Sequence, residues 1–395
     1  MQLNTTEYMY PTLYDLVKDL FGLEIEFFKL IQSFGMMVAL AFTAASMNLT
    51  SEFKRKTDLG LISTTTKRIW LGKPSSIFEK LSSGVVGFLI GYKFLGIALE
   101  FDLVVLNPQD YILSAQGNLL GGFLGAALSI GSRIWEDRKE ANIEPKEIDV
   151  IIPPSEHVGT ITILAAVFGI GGAKIFHNLE NWDDLMADPV GSLLSFSGLS
   201  FLGGFICATI AIVYYARKHK IPVLQLTDSA LPGLMLAYGI GRVGCQVAGD
   251  GDWGIPNDAP KPEWMSFLPD WTWSYNYPNN VLGIDLKADF ISKGYESLTG
   301  YAWPTPLYET AMALCIFAFL WSMRKRWVLP GQLAAWYLLL SGIERLVIEQ
   351  VRINNEYNIF GFGITQAEII SSILILLGLI GIFNIKKISP KLASY

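Results

Sequence analysis

The chain has 395 residues, of which 51% are hydrophobic and only 17% are charged, and its mean hydropathy is +0.37. Because soluble domains carry about 25% charged residues, this composition excludes an ordinary soluble protein and indicates a membrane protein. The formal net charge of -6 comes without a basic patch interleaved with aromatic residues, so nucleic acid is not expected as a partner.

Apolar stretches long enough to cross about 30 Å of hydrocarbon recur along the whole chain. They predict an all-α polytopic membrane protein, a single transmembrane domain over residues 1–395 with about nine transmembrane helices. The predicted spans are residues 27–49, 82–101, 111–132, 157–177, 190–215, 226–248, 306–323, 331–351 and 364–385.

Basic residues in the connections between these spans predict the orientation of the chain. One alternating set of connections holds 20 of the 30 lysines and arginines, and the other set holds few. Since cytoplasmic loops carry the excess of Lys and Arg, the N-terminus is expected outside and the C-terminus in the cytoplasm. The longest outward connection, residues 249–303, carries five tryptophans. An interfacial aromatic belt is the simpler interpretation of these tryptophans, and a role in substrate gating is the alternative.

The cysteines and histidines are too scattered for a metal-ligand pattern or a disulfide framework. They are Cys207, Cys245, Cys315, His157, His177 and His219. These residues therefore predict neither a metal site nor a disulfide. No cofactor is expected for this chain.

Several charged residues fall inside or at the edges of predicted spans, where an ionisable side chain costs roughly 2.5–3.5 kcal/mol or more. Arg242 lies in the sixth span and has no carboxylate within a helical turn of it. Its charge therefore needs a partner from another helix or from an anionic ligand. Arg345, Glu349 and Arg352 share one face of the eighth span at i, i+4 and i+7, so an internal ion-pair ladder is the simpler interpretation there.

Two arginines from separate helices are suited to binding a phosphate ester, because the guanidinium group matches phosphate oxygens bidentately and keeps its charge. Arg242 lies in a glycine-rich, acidic segment, residues 241–254. Its glycines would let a lipid headgroup approach the backbone, although small residues also promote helix packing.

Seven motifs in chain order resemble those of the prolipoprotein diacylglyceryl transferase family. They are residues 34–40 (FGMMVAL), 172–177 (GAKIFH), 198–204 (GLSFLGG), 241–250 (GRVGCQVAGD), 304–309 (PTPLYE), 345–352 (RLVIEQVR) and 363–366 (GITQ). The resemblance covers residues 25–50 and 160–385. That family has seven spans, so the resemblance implies that residues 51–156 hold an inserted pair of helices with cytoplasmic loops.

The resemblance implies transfer of the diacylglyceryl group from phosphatidylglycerol to the lipobox cysteine in the signal peptide of a prolipoprotein, with release of glycerol 1-phosphate. It implies a bacterial inner-membrane protein with its active site towards the periplasm, where residues 249–303 would form a large loop. The implied catalytic residues are Arg242 and Arg345, which would bind the phosphate, and Asp250, which would orient an arginine or accept the thiol proton. The implied substrate-binding residues are Gly241, Gly244, Cys245, Asp252, Gly254, Tyr308, Glu309, Glu349 and Arg352.

The chain departs from the family motifs at positions that concern the proton acceptor. The family histidine in residues 198–204 is Leu202 here, and the family asparagine after Gly244 is Cys245. Asp250 is the direct match to the family's acidic residue, but Asp252 is an alternative. His177 is a substitute base, although an interfacial histidine is the simpler interpretation.

Two other classes of function fit intramembrane charges. A transporter of an anionic solute would also use arginines, but it favours paired broken helices in two similar halves, and the sequence has no such repeat. In a non-catalytic scaffold, the charges would only pair with one another.

Overall fold

The fold is mostly helical. The computed structural model describes residues 9–71, 74–106, 108–140, 146–194, 200–327, 329–354, 356–359 and 362–392. The helices are α1 (Leu13–Phe21), α2 (Ser33–Asp58), α3 (Ile77–Leu99), α4 (Phe101–Leu106), α5 (Pro108–Leu113), α6 (Leu119–Glu140), α7 (Val158–Glu180), α8 (Trp182–Ala187), α9 (Pro189–Leu194), α10 (Phe201–Lys218), α11 (Val223–Ala248), α12 (Leu286–Ser292), α13 (Thr305–Met323), α14 (Gln332–Glu349) and α15 (Gln366–Leu392). The strands β1 (Thr65–Leu71) and β2 (Lys146–Ile152) form one antiparallel pair, and β3 (Glu356–Ile359) and β4 (Phe362–Thr365) form another.

Five of the described helices are long and apolar enough to cross a membrane. They are Ser33–Asp58, Ile77–Leu99, Pro154–Glu180, Thr305–Met323 and Gln366–Lys387. The expected helical membrane protein is therefore confirmed. Four further described helices, α6, α10, α11 and α14, have 18 or more residues and overlap the remaining predicted spans. The count of nine spans and the orientation stay predictions.

The predicted bounds of two spans are wrong. The span predicted at 111–132 corresponds to helix α6, which begins only at Leu119. The residues before Leu119 are held by hydrogen bonds from a lysine side chain on α3. There the Lys93 ammonium donates hydrogen bonds to the carbonyl oxygens of Tyr111, Ser114 and Gln116 at 2.7–2.8 Å. The span at 190–215 is not one continuous helix, because Ser200 is not helical and α10 begins only at Phe201. Its first part contains α9, and residues 195–199 lie outside the described residues.

The chain divides into two compact units. The second unit consists of the described residues within Thr64–Glu156 and Ile163–Ile212. In it, α3 and α6 pack closely in opposite directions, because glycine faces glycine along the contact: a Cβ added at Gly91 would meet the Gly121 carbonyl group. Small residues of this kind let helix backbones approach closely in a membrane.

The first unit consists of the described residues within Met1–Ser63, His157–Thr162 and Val213–Tyr395. Helix α11 is at its centre and contacts α2, α13 and α14, while α14 also packs along α15. The approach to α2 is close where Gly244 lies against Met37 and Phe34. Gly244 therefore has a packing role that explains its small size.

The long loop (residues 249–303) is folded around a hydrophobic core of its own. That core contains Trp253, Tyr275, Tyr277, Phe290 and neighbouring residues. The interpretation of all five tryptophans as an interfacial belt is therefore wrong for Trp253, which is buried by the loop's other aromatic side chains.

Backbone hydrogen bonds fasten the base of the long loop to the helices. The Gly254 amide donates to the Trp303 carbonyl oxygen (2.9 Å), and the Ile255 amide donates to the Val351 carbonyl oxygen (2.9 Å). A Cβ at Gly254 would collide with the same Val351 oxygen, so this close approach requires glycine. The end of α11, the start of α13 and the end of α14 are thereby brought together.

Candidate active site

Arg242 lies six residues before the end of α11, next to the long loop, and is paired with two carboxylates. Its Nη1 forms an ion pair with Asp252 in the long loop, and its Nε lies 3.1 Å from Oε2 of Glu309 on α13. The guanidinium group also lies 5.3 Å from the centre of the Tyr238 ring, one turn earlier on α11. The expectation that Arg242 takes a partner from outside its own helix is confirmed.

Glu309 is the common partner of three arginines. Its side chain is fully buried, and its Oε1 lies 3.6 Å from Nη1 of Arg345 and 3.4 Å from Nη1 of Arg352. With the contact from Arg242, guanidinium groups reach this carboxylate from α11, from α14 and from the turn after α14. The Tyr238 hydroxyl donates a further hydrogen bond to Oε1 (2.9 Å). We call these three arginines, with Glu309 and Asp252, the arginine cluster.

Asp252 connects two members of the arginine cluster. Its Oδ2 pairs with Arg242, and its Oδ1 accepts a hydrogen bond from Nη2 of Arg352 at 2.9 Å. Its backbone carbonyl oxygen accepts a 2.6 Å hydrogen bond from the Thr305 hydroxyl at the start of α13. Asp252 is thus fixed through both its side chain and its backbone.

Half of the predicted ion-pair ladder is present. Nη2 of Arg345 lies 3.0 Å from Oε2 of Glu349, as the i, i+4 spacing predicts. The second half is wrong, because α14 ends at Glu349 and the chain then turns to form a β-bridge between Gly254 and Arg352. The turn directs Arg352 to Asp252 and Glu309 instead, and Asn354 donates to Glu349 at 2.8 Å.

Asp250 lies beside the arginine cluster but forms no ion pair with an arginine among the described residues. Potential ligand atoms of Cys245, Asp250 and Asp252 lie within 4.8 Å of one another. A cation at this trio would compete with Arg242 and Arg352, which neutralise Asp252. Sγ of Cys245 lies 3.7 Å from Nη1 of Arg242, so the thiol borders the guanidinium group.

The pKa values of Asp250 and Asp252 are shifted in opposite directions. Burial raises the pKa of the Asp250 carboxyl, and the neighbouring Asp252 carboxylate adds to the rise. Burial also opposes ionisation of Asp252, but Arg242 and Arg352 outweigh it, so the pKa of its carboxyl lies below the usual range. The pKa values of two carboxyl groups that lie two residues apart are therefore shifted in opposite directions.

The remaining predicted site residues lie in different environments. A Cβ at Gly241 would meet nothing within 4 Å, so this position is open. Tyr308 points to the long loop, where its hydroxyl donates to the Thr272 carbonyl oxygen (2.8 Å). His177 lies in the second unit, with its Nδ1 3.2 Å from Nδ2 of Asn181. Leu202 lies in the same unit, at the start of α10.

Sequence reasoning missed two polar residues of the site. Tyr238 donates to Glu309 and also lies within 3.3 Å of Oε1 of Glu344, and Thr305 binds the backbone of Asp252. Tyr238 lies four residues before Arg242, and this i, i+4 spacing would have indicated that the two side chains are neighbours.

Comparison with known proteins identifies the family. A sequence model described as prolipoprotein diacylglyceryl transferase matches residues 134–384. The chain belongs to this family. All the motifs from residue 172 to residue 366 lie in the matched range, whereas residues 34–40 lie before it.

Relatives with a similar name occur in several bacteria. Over 281 residues the chain is 32% identical to a phosphatidylglycerol–prolipoprotein diacylglyceryl transferase of Dehalococcoides mccartyi, covering 71% of this chain and 92% of the relative. A protein of the same name from Leptospira interrogans is 26% identical, with 59% and 81% covered. Another from Neisseria meningitidis is 29% identical, with 55% and 76% covered. The chain is therefore a transferase of this membrane family.

The raised pKa of Asp250 predicts how stability depends on pH. Because the folded state disfavours its ionisation, the contribution of Asp250 is fully present below the unfolded pKa and is lost as the pH rises through the folded pKa. Asp250→Asn should therefore unfold at a higher temperature than the wild type at neutral pH, and the two should converge near pH 4. Thermal unfolding of the detergent-solubilised protein across this range measures the difference.

Asp252→Asn is the matched control for that measurement. Its carboxyl has a lowered pKa, so its contribution is present above the unfolded pKa and is lost as the pH falls through the folded pKa. The variant should be less stable than the wild type at neutral pH. A lower midpoint for Asp250→Asn at neutral pH would contradict the assignment.

Proposed function

We propose that this protein transfers the diacylglyceryl group of phosphatidylglycerol to the cysteine thiol of a prolipoprotein signal peptide and releases glycerol 1-phosphate. Membership of the family and the names of the relatives support these substrates. The observation that carries the proposal is the convergence of Arg242, Arg345 and Arg352 on one buried carboxylate. Such a set of fixed cations suits a reaction whose leaving group is a phosphate ester.

The reaction requires two kinds of assistance. A carbon–sulfur bond forms at the glycerol carbon while the bond from that carbon to the phosphate oxygen breaks, so negative charge collects on the departing phosphate. Fixed guanidinium groups stabilise that charge without having to reorganise. The thiol must also lose its proton, because the thiolate is the nucleophile and a free thiol has a pKa near 8.5.

Exposure distinguishes the roles of the three arginines. The side chain of Arg345 is 28% exposed, against 16% for Arg242 and 12% for Arg352. Arg345 is therefore the guanidinium group most accessible to a lipid phosphate, and Arg242 stabilises the leaving phosphate beside it. Arg352, bound by Asp252 and Glu309, is a positioning residue, as are Glu309 and Glu349.

Asp250 is the better proton acceptor of the two aspartates. Asp252 is committed to two arginines, whereas Asp250 has no ion pair with an arginine in the described part of the chain and lies beside Cys245. A carboxylate with a raised pKa binds a proton more strongly, which favours general-base catalysis near neutral pH. Asp252 positions Arg242 and Arg352.

The proposed topology has nine spans, with the N-terminus outside and the arginine cluster on the periplasmic side of the bacterial inner membrane. Residues 51–156 would hold the inserted pair of helices and cytoplasmic loops, and the long loop would be periplasmic. The bias of basic residues supports this orientation. In a variant without its native cysteines, Trp264→Cys should react with an impermeant thiol reagent in spheroplasts, and Lys54→Cys only after permeabilisation; the reverse result contradicts the topology.

Arg242→Ala tests the transfer reaction. Membranes containing the protein are incubated with phosphatidylglycerol and a lipobox peptide, and the mass gained by the peptide cysteine is followed. Loss of one preorganised charge at the leaving phosphate should lower the rate by at least about 100-fold. Arg345→Ala should also lower the rate. Because the Arg345 side chain is more exposed, this change should disturb the structure less.

Arg68→Ala is the control for the arginine variants. Arg68 also contacts two carboxylates, Glu147 and Asp149, but lies on β1 in the second unit. It should keep the wild-type rate. No mass gain with the wild-type protein would refute the transferase proposal, and a normal rate in Arg242→Ala would refute the role of that arginine.

Substitutions of the two aspartates should have different effects in the same assay. Asp250→Asn should lower kcat and remove the part of the pH–rate profile that depends on this carboxyl group. Asp252→Asn should mainly raise the KM for phosphatidylglycerol and keep the shape of the profile, because it acts through the arginines. If Asp250→Asn keeps the wild-type kcat, another group accepts the proton.

A further inference from the structure

A second ionic centre lies at the opposite ends of the helices that carry the arginine cluster. On α11, Asp228 precedes Arg242 by 14 residues, which corresponds to about 21 Å along the helix axis. At this end, Glu52 on α2 is buried and pairs with two arginines. Its carboxylate lies 2.7 Å from Nη2 of Arg55 and 2.9 Å from Nε of Arg324 at the end of α13.

Lys56 contributes a buried cation to this centre. The residue is only 4% exposed, and in the described part of the chain its ammonium group makes one hydrogen bond, to the Gln225 carbonyl oxygen (3.0 Å). The carboxylate that lines the same cavity, Asp228, has both oxygens engaged by backbone amides of Gly331 (2.7 Å) and Ala334 (2.9 Å). Asp228 therefore fixes the start of α14, and the ammonium group keeps N–H donors for another acceptor.

These groups surround a small cavity of about 50 Å³, which we call the basic cavity. The charged residues that line it are Arg55, Lys56, Arg324, Lys325 and Asp228. Four cationic side chains thus line the cavity with one carboxylate. Glu52 pairs with Arg55 and Arg324, so Lys56 and Lys325 are the lining cations that form no ion pair among the described residues. Because one water-sized group needs roughly 10–15 Å³ of such space, the basic cavity has room for about three to five of them. A phosphate group has four oxygen atoms, so its oxygens fit within this space.

Aromatic and apolar residues beside the basic cavity indicate its depth in a membrane. Trp327 lines the cavity and stacks on Trp336 with ring centres 5.2 Å apart, and Arg324 lies 3.5 Å from the centre of the Trp321 ring. Tryptophans of this kind mark the level of lipid headgroups. Leu59, which also lines the cavity, is 60% exposed and offers an apolar surface to an acyl chain.

We propose that the basic cavity binds the phosphate group of an anionic phospholipid, in the leaflet opposite the arginine cluster. Lysine and arginine pockets between transmembrane helices bind such headgroups through charge and hydrogen bonds. The lipid would join α2, α11 and α13, whose ends supply the cations. This site is independent of the proposed transfer reaction, since none of its residues belongs to the arginine cluster.

Lipid-dependent thermal stability tests the site. The full-length protein in a neutral detergent is titrated with phosphatidylglycerol, with phosphatidylcholine, or with inorganic phosphate, and the unfolding midpoint is recorded. Phosphatidylglycerol should raise the midpoint of the wild type in a saturable manner. Lys325→Gln, at an exposed position that tolerates the change, should weaken this apparent affinity about fivefold, the equivalent of one cation near an anionic lipid. Lys56→Gln should do so at least as strongly.

Lys54→Gln is the matched control, because Lys54 is exposed on the same helix and does not line the cavity. It should keep the wild-type affinity, and Arg345→Ala should keep the part of the response that Lys325→Gln removes. An equal effect of inorganic phosphate, lost in the same variants, would overturn the lipid as the source and leave a soluble phosphate. Identical responses in Lys325→Gln, Lys56→Gln and the wild type would overturn the site itself.

Discussion

The buried carboxylate of Glu309 constrains the ends of three helices at once. It lies at the start of α13, and its arginine partners come from α11, from α14 and from the turn that follows α14. Removal of one partner from a buried ion pair typically costs 3–5 kcal/mol, because an uncompensated charge remains inside the protein. None of these helix ends can move away alone without such a cost. The long loop depends on the same constraint, since Asp252 is bound to the arginines and to Thr305.

The charges of the arginine cluster and Glu349 together are balanced, which bears on how the cluster would receive a substrate. Arg242, Arg345 and Arg352 are opposed by Asp252, Glu309 and Glu349, so an entering phosphate competes with a carboxylate for a guanidinium group. Exposure favours Arg345 for this exchange. Internal carboxylates that keep arginines in place before the phosphate arrives also reduce the reorganisation required during the reaction.

The first unit has ionic centres at both ends of its central helices and apolar contacts between them. Glu52 with Arg55 and Arg324 occupies one end, and the arginine cluster occupies the other. Between them, close contacts such as that of Gly239 with Ala313 hold α11 against α13 without charge. This distribution agrees with a bilayer, whose interior disfavours charge and whose two surfaces accept it.

The sequence by itself determined the helical membrane class, the family and the need of Arg242 for an external partner. These follow from composition, from ordered motifs and from helical spacing, which are properties of neighbouring residues. Only the tertiary structure decided that Asp252 pairs with Arg242 and Arg352, and that Arg352 leaves the ladder expected on α14. It also decided that Trp253 is buried in the long loop. Those outcomes depend on contacts between residues far apart in the chain, such as Ile255 with Val351, and helical periodicity carries no information about which distant segments meet.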